Sequence, residues 1–573
     1  MGNEMFNRRH RWNKFGILIL LFIVCISYAG NPVSVPINHS IYPFLDRMET
    51  LGVLDNLCDG VRPLDRERIS NLLLTISEKR NQLSEIDGQK LDNFLLDFRY
   101  ERDSSQKYPL LPENRKFYSP LLSISQLKQD FIRCLKRKQP EEENHLFLWE
   151  DAGHSFYFDF IANLTYTRTN IEQSRLSQNQ IYSFRGTINN NFGYALHILL
   201  AQISGDKGYI NKDQILKTEW VQKRGDEKIY FDHSGGDIAY RSPYIDFRFA
   251  QQPVTWGVGE SGNLVLSDNV EQFPYISFQK RWKWGCFTSI HGKLLADSTG
   301  INNEGQRIIP DKWIAANRLE ISPWSRMVIG LSDLIIYGNR PLEWAYLFPI
   351  NFYRPVEHTL HDRDNALLAV DLEFRVLSGV KLYGTVLLDE LKQSELFSNW
   401  YGNKHGFQLG TQLEDPLGIV NAGLCFEYLA IMPWVYTHKY DVNSYINDGR
   451  SLGYWAGPNS EVIYLHVTKD WHYRLKTGLK YIRWKHGANY ENENIGGDIY
   501  KGHDELLGTQ TTPRITREFL EGILRTEDRI NLYAQYELLN DLYINGSIIF
   551  IETVEPGVKD EITEIQLGMK FDY

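Results

Sequence analysis

Val370-Asp371-Leu372-Glu373-Phe374-Arg375-Val376 alternates an apolar with a charged residue at every step. A strand sends successive side chains to opposite faces, so this segment has one greasy face and one face of ionised groups. The same period recurs where Ile245, Phe247 and Phe249 alternate with Asp246 and Arg248, and where Leu532, Ala534, Tyr536 and Leu538 alternate with Tyr533, Gln535 and Glu537. Charges on the inner face of so many strands would be costly in a sandwich core, whereas the wet lumen of a membrane barrel accommodates them. The period of two begins near Phe156 and holds to the end of the chain. A stretch of about 420 residues, at roughly 10 residues per tilted strand plus a turn or loop, predicts on the order of 16 to 18 strands. The fold class is therefore mostly β, a large antiparallel transmembrane β-barrel. A barrel of that width encloses a channel unless helices or loops fill it.

The ends of the chain agree with export to an outer membrane. Arg8, Arg9, Arg11 and Lys14 precede an apolar run from Phe15 to Ile26 and then Ser27-Tyr28-Ala29, the layout of a signal peptide cut after Ala29. The run is too short to cross a bilayer as a helix. Cys25 follows Val24 rather than the small residue that a lipoprotein signal requires. At the other end Ile565, Leu567, Met569, Phe571 and Tyr573 alternate with Gln566, Gly568, Lys570 and Asp572. An alternating strand that ends on an aromatic is similar to the signal read by the barrel assembly machinery of Gram-negative outer membranes. A half-buried terminal strand of a soluble sheet has the same period, and the export signal is what separates the two.

Composition fits the same class. The 573 residues include 33 Tyr, 29 Phe and 14 Trp for interfacial girdles, and 43 Gly for turns and close strand approaches. No later segment approaches eighteen consecutive apolar residues, which excludes a helical membrane protein. A formal charge of −10 argues against a nucleic-acid partner. After export Cys58, Cys134, Cys286 and Cys425 remain, far apart and without a CxxC pair, leaving room for one periplasmic disulfide but no metal or redox framework.

Ahead of the barrel the apolar period is helical: Tyr42, Phe44, Leu45, Met48 and Leu51, then Ile69, Leu72, Leu73 and Ile76, then Leu91, Phe94, Leu95 and Phe98. Three short helices follow, with Pro63 and Asp65 opening the second and Asp87-Gly88 breaking it from the third. The expected division is a signal peptide over 1–29, a periplasmic helical bundle over 30–105, a linker over 106–150 with one helix near Leu127 to Leu135, and the barrel over 151–573.

Catalytic patterns are absent: the chain has no HExxH, GxSxG, P-loop or CxxC. His358, His361, Asp362 and Asp364 cluster and have the donor types for a cation, but spacing alone fixes no coordination geometry, and a polar loop is the better reading. Three stretches are richer than barrel architecture requires. They are Trp256-Gly257-Val258-Gly259-Glu260-Ser261-Gly262-Asn263-Leu264-Val265-Leu266-Ser267-Asp268-Asn269; Asp364-Asn365-Ala366 with Leu382-Tyr383-Gly384 and Asp389-Glu390; and Pro433-Trp434-Val435-Tyr436-Thr437-His438 with Leu452-Gly453 and Gly457-Pro458-Asn459-Ser460.

In that order, and together with Tyr42-Pro43-Phe44-Leu45-Asp46-Arg47 and Arg62-Pro63-Leu64, these stretches resemble the capsule assembly protein Wzi family. The stretches 108–150 and 490–513 have no counterpart in the pattern. The resemblance implies an outer-membrane barrel of about eighteen strands with a periplasmic helical bundle. It further implies a lectin for capsular or other surface polysaccharide that retains capsule and neither polymerises nor exports it, without cofactor, metal or catalytic residue. Sugars offer hydroxyl edges and apolar CH faces, which suit amides and carboxylates beside aromatic rings. On that chemistry the candidate ligand-binding residues are Trp256, Asn263, Asp268, Asn269, Asp364, Asn365, Trp434, Tyr436 and His438. Their other reading is architectural: glycines and amides turning a loop back into the lumen, with Trp434 and Tyr436 in the interfacial girdle. Two rival functions use the same features, a porin or substrate-specific channel and a surface carbohydrate-active enzyme.

Overall fold

The structure, a computed structural model, describes residues 31–98 and 145–572, apart from 56, 152, 211–220, 224–227, 271, 391–394, 396, 397 and 503–515. The expected export segment, most of the expected linker with its helix, Cys134 and part of the loop after Tyr490 lie outside the described residues.

Among the described residues, eighteen antiparallel strands close into a barrel. They begin with β1 (His154–Thr169), β2 (Ser174–Ile188), β3 (Phe192–Gly205), β4 (Lys228–Arg241), β5 (Asp246–Gln252) and β6 (Phe273–Trp282). The wall continues through β7 (Gly285–Leu295), β8 (Asp311–Trp324), β9 (Met327–Gly338), β10 (Asn365–Leu377), β11 (Val380–Glu390) and β12 (Lys404–Glu414). It ends with β13 (Ala422–Ile431), β14 (Ser460–His472), β15 (Leu475–Ala488), β16 (Ile523–Leu539), β17 (Leu542–Glu555) and β18 (Val558–Asp572). The alternating C-terminal strand closes the ring by pairing with β1, with Ile565 beside Arg168 and Leu567 beside Tyr166. Closure leaves no sheet edge, the condition for a strand wall to stand in hydrocarbon.

In β10 the alternation read from the sequence sorts by face. Val370, Leu372, Phe374 and Val376 are exposed on the outside, while Asp371, Glu373 and Arg375 turn inward and are buried. One end of the barrel has tight connections, at 283–284, 325–326, 378–379, 473–474 and 540–541, and the long connections, 253–272, 339–364 and 432–459 among them, all lie at the other. Short turns face the periplasm in such barrels. Trp284, Trp324 and Trp471 stand exposed at that end, as an aromatic belt does at a membrane boundary.

Three helices, α1 (Ile41–Leu51), α2 (Arg66–Glu78) and α3 (Glu85–Asp97), pack around Ile41, Leu45, Met48, Ile69, Leu73 and Leu91. Asp65 caps α2, accepting the Arg68 amide at 2.8 Å. The expected break at Asp87-Gly88 is misplaced, because both residues lie inside α3. The break falls at Lys79–Ser84, where Ser84 caps α3 by accepting the Asp87 amide at 3.0 Å. A Ser N-cap followed by two acidic residues in the first turn outweighs one helical glycine.

The bundle closes the short-turn end through buried ions. Arg47 on α1 meets Asp87 at 3.0 Å, Glu414 at 2.6 Å and Asp415 at 2.9 Å, and Lys381 on β11 meets Glu49 at 3.0 Å. Lys90 on α3 meets Asp470 on β14 at 2.5 Å. The inner face changes character along the strands. Between β8 and β11 the inner face carries its cluster of mutually paired charges toward the periplasm, where Arg318, Glu320, Asp371 and Glu373 are buried, and near the loops only Lys312 and Asp389, which bond to the backbone of the loop 432–459. Toward the long loops the same face turns apolar, with Ile314, Ala316, Leu334, Ile336, Leu367 and Ala369 in one core. Arg318 pairs with Asp371 and with Glu320. On the opposite arc Asn163, Asn179, Asn531, Asn545 and Gln566 keep a polar, half-buried inner face.

Replacing Lys381 by Met leaves Glu49 and Glu373 buried without their cation, a defect costing about 3–5 kcal/mol. The expected outcome is bundle release at lower urea, read as proteolysis of α1–α3, while the barrel keeps its heat-modifiable mobility on gels. Unchanged protease resistance would show that the pair does not hold the bundle.

Candidate functional site

The lumen is crossed by the segment 253–272, which leaves the wall early because β5 and β6 are short. Thr255–Trp256 forms a two-residue ladder with Val61–Arg62, and the Gly257 amide donates to the Gly60 carbonyl at 2.9 Å. Gly257 has φ 140°, and a Cβ there would meet the Asn263 side chain, so this turn requires glycine. At the far wall the Glu427 carboxylate on β13 accepts the amides of Glu260 and Ser261 at 2.7 and 3.0 Å. Gln408 on β12 donates to the Gly262 carbonyl at 3.0 Å. Glu260 itself receives the Tyr464 hydroxyl at 3.1 Å and touches His466. Burial works to raise the Glu260 carboxyl, but the His466 hydrogen bond and charge outweigh it and hold it down at about 2.

A second inward loop, 432–459, lies on the first. The Tyr436 hydroxyl donates to the Leu264 carbonyl at 2.7 Å, and the Tyr445 hydroxyl to Val265 at 2.6 Å. The two rings stack at 5.3 Å. Ser267 donates its amide to Leu452 at 2.8 Å, and the Asn269 side chain donates to the Ser451 carbonyl at 2.6 Å. Gly453 packs against the Tyr436 hydroxyl, leaving no space for a Cβ.

These contacts place the nine residues picked from the sequence. Trp256, Trp434 and Tyr436 are fully buried inside the plug, so Trp434 and Tyr436 are not in the membrane girdle. Asn263 is buried and accepts the Gly259 amide at 2.9 Å; Asn365 is buried and donates to the Asn443 carbonyl at 3.0 Å. Asp364 is clamped by Arg340 at 2.8 and 2.5 Å and by the Tyr346 hydroxyl at 2.7 Å. His438 is buried and accepts the Tyr440 amide at 3.1 Å. Asn269 is half-buried, and Asp268 alone of the nine is exposed. Among the described residues no group of three or more His, Cys, Asp or Glu is arranged to hold a metal ion. Cys58, Cys286 and Cys425 are free.

At the long-loop mouth, above the polar arc, aromatic and ionised side chains stand together. Trp455 is 39% exposed and meets Trp484 edge-on at 5.7 Å. The Arg525 guanidinium lies 5.4 Å over Trp484, which stacks on His486 at 5.5 Å. Glu527 bridges Arg525 at 3.1 Å and Arg529 at 2.8 Å. Sequence reading passed over this group. Trp455 falls between Leu452-Gly453 and Gly457-Pro458-Asn459-Ser460, and Trp484 and Arg525 meet only through the register that sets His486 beside Arg525. The signal available was one tryptophan, Trp455, in the loop 432–459 and a second, Trp484, near the loop-side end of β15.

The model of the capsule assembly protein Wzi family matches residues 125–540. The chain belongs to this family. No curated protein sequence matches it. Among solved structures it is similar to the Escherichia coli outer-membrane protein Wzi, described as involved in group 1 capsule assembly and as a carbohydrate-binding β-barrel. That likeness is 14% identical with a TM-score of 0.55, over 95% of this chain and 100% of the other. Weaker likenesses are to Acinetobacter baumannii OccAB2, at 8% identity and TM-score 0.45 over 74% and 99% of the two chains, and to Pseudomonas aeruginosa OprD, at 9% and 0.40 over 73% and 95%. As a Wzi-family barrel with an outward apolar face, the protein resides in the Gram-negative outer membrane.

Since the bundle and the 253–272 segment both cross the lumen, each contributes to its closure. Replacing Gly257–Asn269 by a short Gly-Ser linker is expected to raise conductance in planar bilayers above that of the parent, and more than deletion of 31–98 does. If only the bundle deletion raises it, the segment is not the main obstruction.

Proposed function

We propose that this protein binds a surface polysaccharide of the capsular type at the mouth formed by Trp455, Trp484, Arg525 and Glu527, and so helps to assemble or retain capsule on the cell. The observation that carries this reading is the exposed Trp455 beside Trp484, flanked by ionised donors and acceptors. A sugar ring stacks its CH face on indole while its hydroxyls bond to guanidinium and carboxylate. Membership in a capsule assembly family and the likeness to a barrel described as carbohydrate-binding support the ligand class. Asp268 and Asn269, at the outer edge of the plug, are proposed as secondary contacts. The proposal assigns no catalytic step. Outer-membrane lipid, met by the outward apolar face, and the barrel assembly machinery, met by the C-terminal strand, complete its partners.

Losing both indole faces removes about 1.5–3 kcal/mol each if they are buried by the glycan. The W455A/W484A variant is expected to bind purified capsular polysaccharide at least about tenfold more weakly, with heat-modifiability unchanged. In cells it should shed polysaccharide into the medium at constant total. Wild-type affinity in the variant would remove the mouth as the site. A solute channel is the second reading, favoured by the polar arc of Asn163, Asn179, Asn531 and Asn545. Stable stepwise conductance of the intact chain, without polysaccharide binding, would favour it.

A further inference from the structure

The connection from β9 to β10, residues 339–364, does not stand above the barrel. Its short helical turn Trp344–Leu347 and helix α4 (Tyr353–Thr359) fold down over the outer side of the wall. The faces establish this. Leu331, Asp333, Ile335 and Tyr337 alternate onto the outward face of β9, where Leu331 is exposed but the other three are buried. What buries them is the connection itself. The Tyr353 amide donates to Asp333 Oδ2 at 2.7 Å, and Asn317, in register with Asp333 on β8, donates to the Asn351 carbonyl at 3.0 Å. Tyr337 bonds to His291 on β7 at 2.9 Å and accepts the Glu343 amide at 3.1 Å. Ile335, Tyr337, Tyr346, Tyr353 and Ala366 form one apolar cluster beneath it.

The level of this contact places it within the membrane. Asp333 lies six residues above Met327 at the short-turn end of β9. At about 3.4 Å per residue and a tilt of about 40°, the rise is roughly 16 Å, inside a lipid-facing band about 25 Å tall. An outward Asp beside an outward Asn at that depth would face hydrocarbon if nothing covered them. The cover is apolar on its own far side, where Trp344 and Ile350 are each 79% exposed, Phe348 57% and Phe352 51%. Arg354 pairs with Glu357 at 2.6 Å, so α4 brings a neutralised pair.

We propose that this flap is a membrane element of the outer leaflet, whose Trp344, Phe348, Ile350 and Phe352 lie among lipid acyl chains while its inner side replaces lipid against a stretch of wall too polar to face it. The occupant follows from continuity. The four side chains extend the belt of Leu331, Val370 and Leu372, exposed on the same two strands. A porin-like belt meets lipid strand by strand; here one sector meets it through a second layer. The inference is independent of the polysaccharide reading and rests only on the seating of the barrel in a bilayer.

The test uses the full chain with Ile350→Cys carrying an NBD fluorophore, reconstituted into phosphatidylcholine vesicles. The wild-type chain taken through the same labelling gives the background of the native cysteines, and heat-modifiable mobility confirms a folded barrel. Lipid carrying a nitroxide on its acyl chain is expected to quench the label severalfold more than aqueous iodide does. Quenching by iodide with none by lipid places the flap in water and overturns the proposal. Resistance to both quenchers, with disulfide cross-linking of unlabelled Ile350→Cys chains, shows a second copy on the patch and also overturns it.

Discussion

The lumen of an eighteen-strand barrel is too wide for its inward side chains to meet across it, and how that space is filled shapes everything else in this molecule. A narrow barrel packs its own interior; a wide one is a channel unless other chain enters. Here the filling comes from both ends. The helical bundle enters at the short-turn side, and the segment 253–272 with the loop 432–459 enters from the other. They meet where Val61–Arg62 pairs with Thr255–Trp256, so the two plugs are stitched by backbone hydrogen bonds as well as by packing.

The filling also explains why the inner wall changes character along its strands. Toward the periplasm the wall presents ions, and the plug supplies their partners: Glu49 for Lys381, Arg47 for Glu414 and Asp415, and the Gly60 amide for Glu320. Buried ions of this kind add little net stability beyond a well-packed apolar contact, but each becomes a large penalty when its partner leaves. Docking is thereby specified rather than merely favoured. Toward the loops the wall offers Leu334, Ile336 and Leu367 to Leu264, Val265 and Tyr445, and ordinary apolar burial takes over.

A filled lumen moves the functional question to the rim. Residues buried in the plug, Trp256, Trp434 and Tyr436 among them, hold loops in place and are not free to meet a large glycan. The residues left accessible are carried by strand ends and by the outer turn of the second loop, as with Trp484, Arg525 and Trp455. A site on strand ends is positioned by the wall's hydrogen-bond ladder and needs no closing motion to form.

The sequence by itself determined the wall. A period of two with charge opposite grease, held from about Phe156 to the last strand, has few physical solutions, and the basic and apolar opening that reads as an export signal makes the membrane barrel the consistent one. It also determined the helical bundle, though local propensity points to a break at Asp87-Gly88, because glycine ranks low in a helix while a Ser84 cap is decided by where the chain turns. The plug also leaves a trace in the sequence: Ala366-Leu367-Leu368-Ala369-Val370 and Leu334-Ile335-Ile336-Tyr337 are greasy on both faces, as a wall must be when lipid or flap lies outside and a core lies inside. Which of the notable residues are buried and which are accessible was not written in spacing. Trp434 and Trp455 are chemically the same side chain on the same loop, and one is fully buried while the other is open to a ligand. Only the path of the loop through the lumen separates them, because burial depends on contacts between segments far apart in the chain, and periodicity reports only on neighbours.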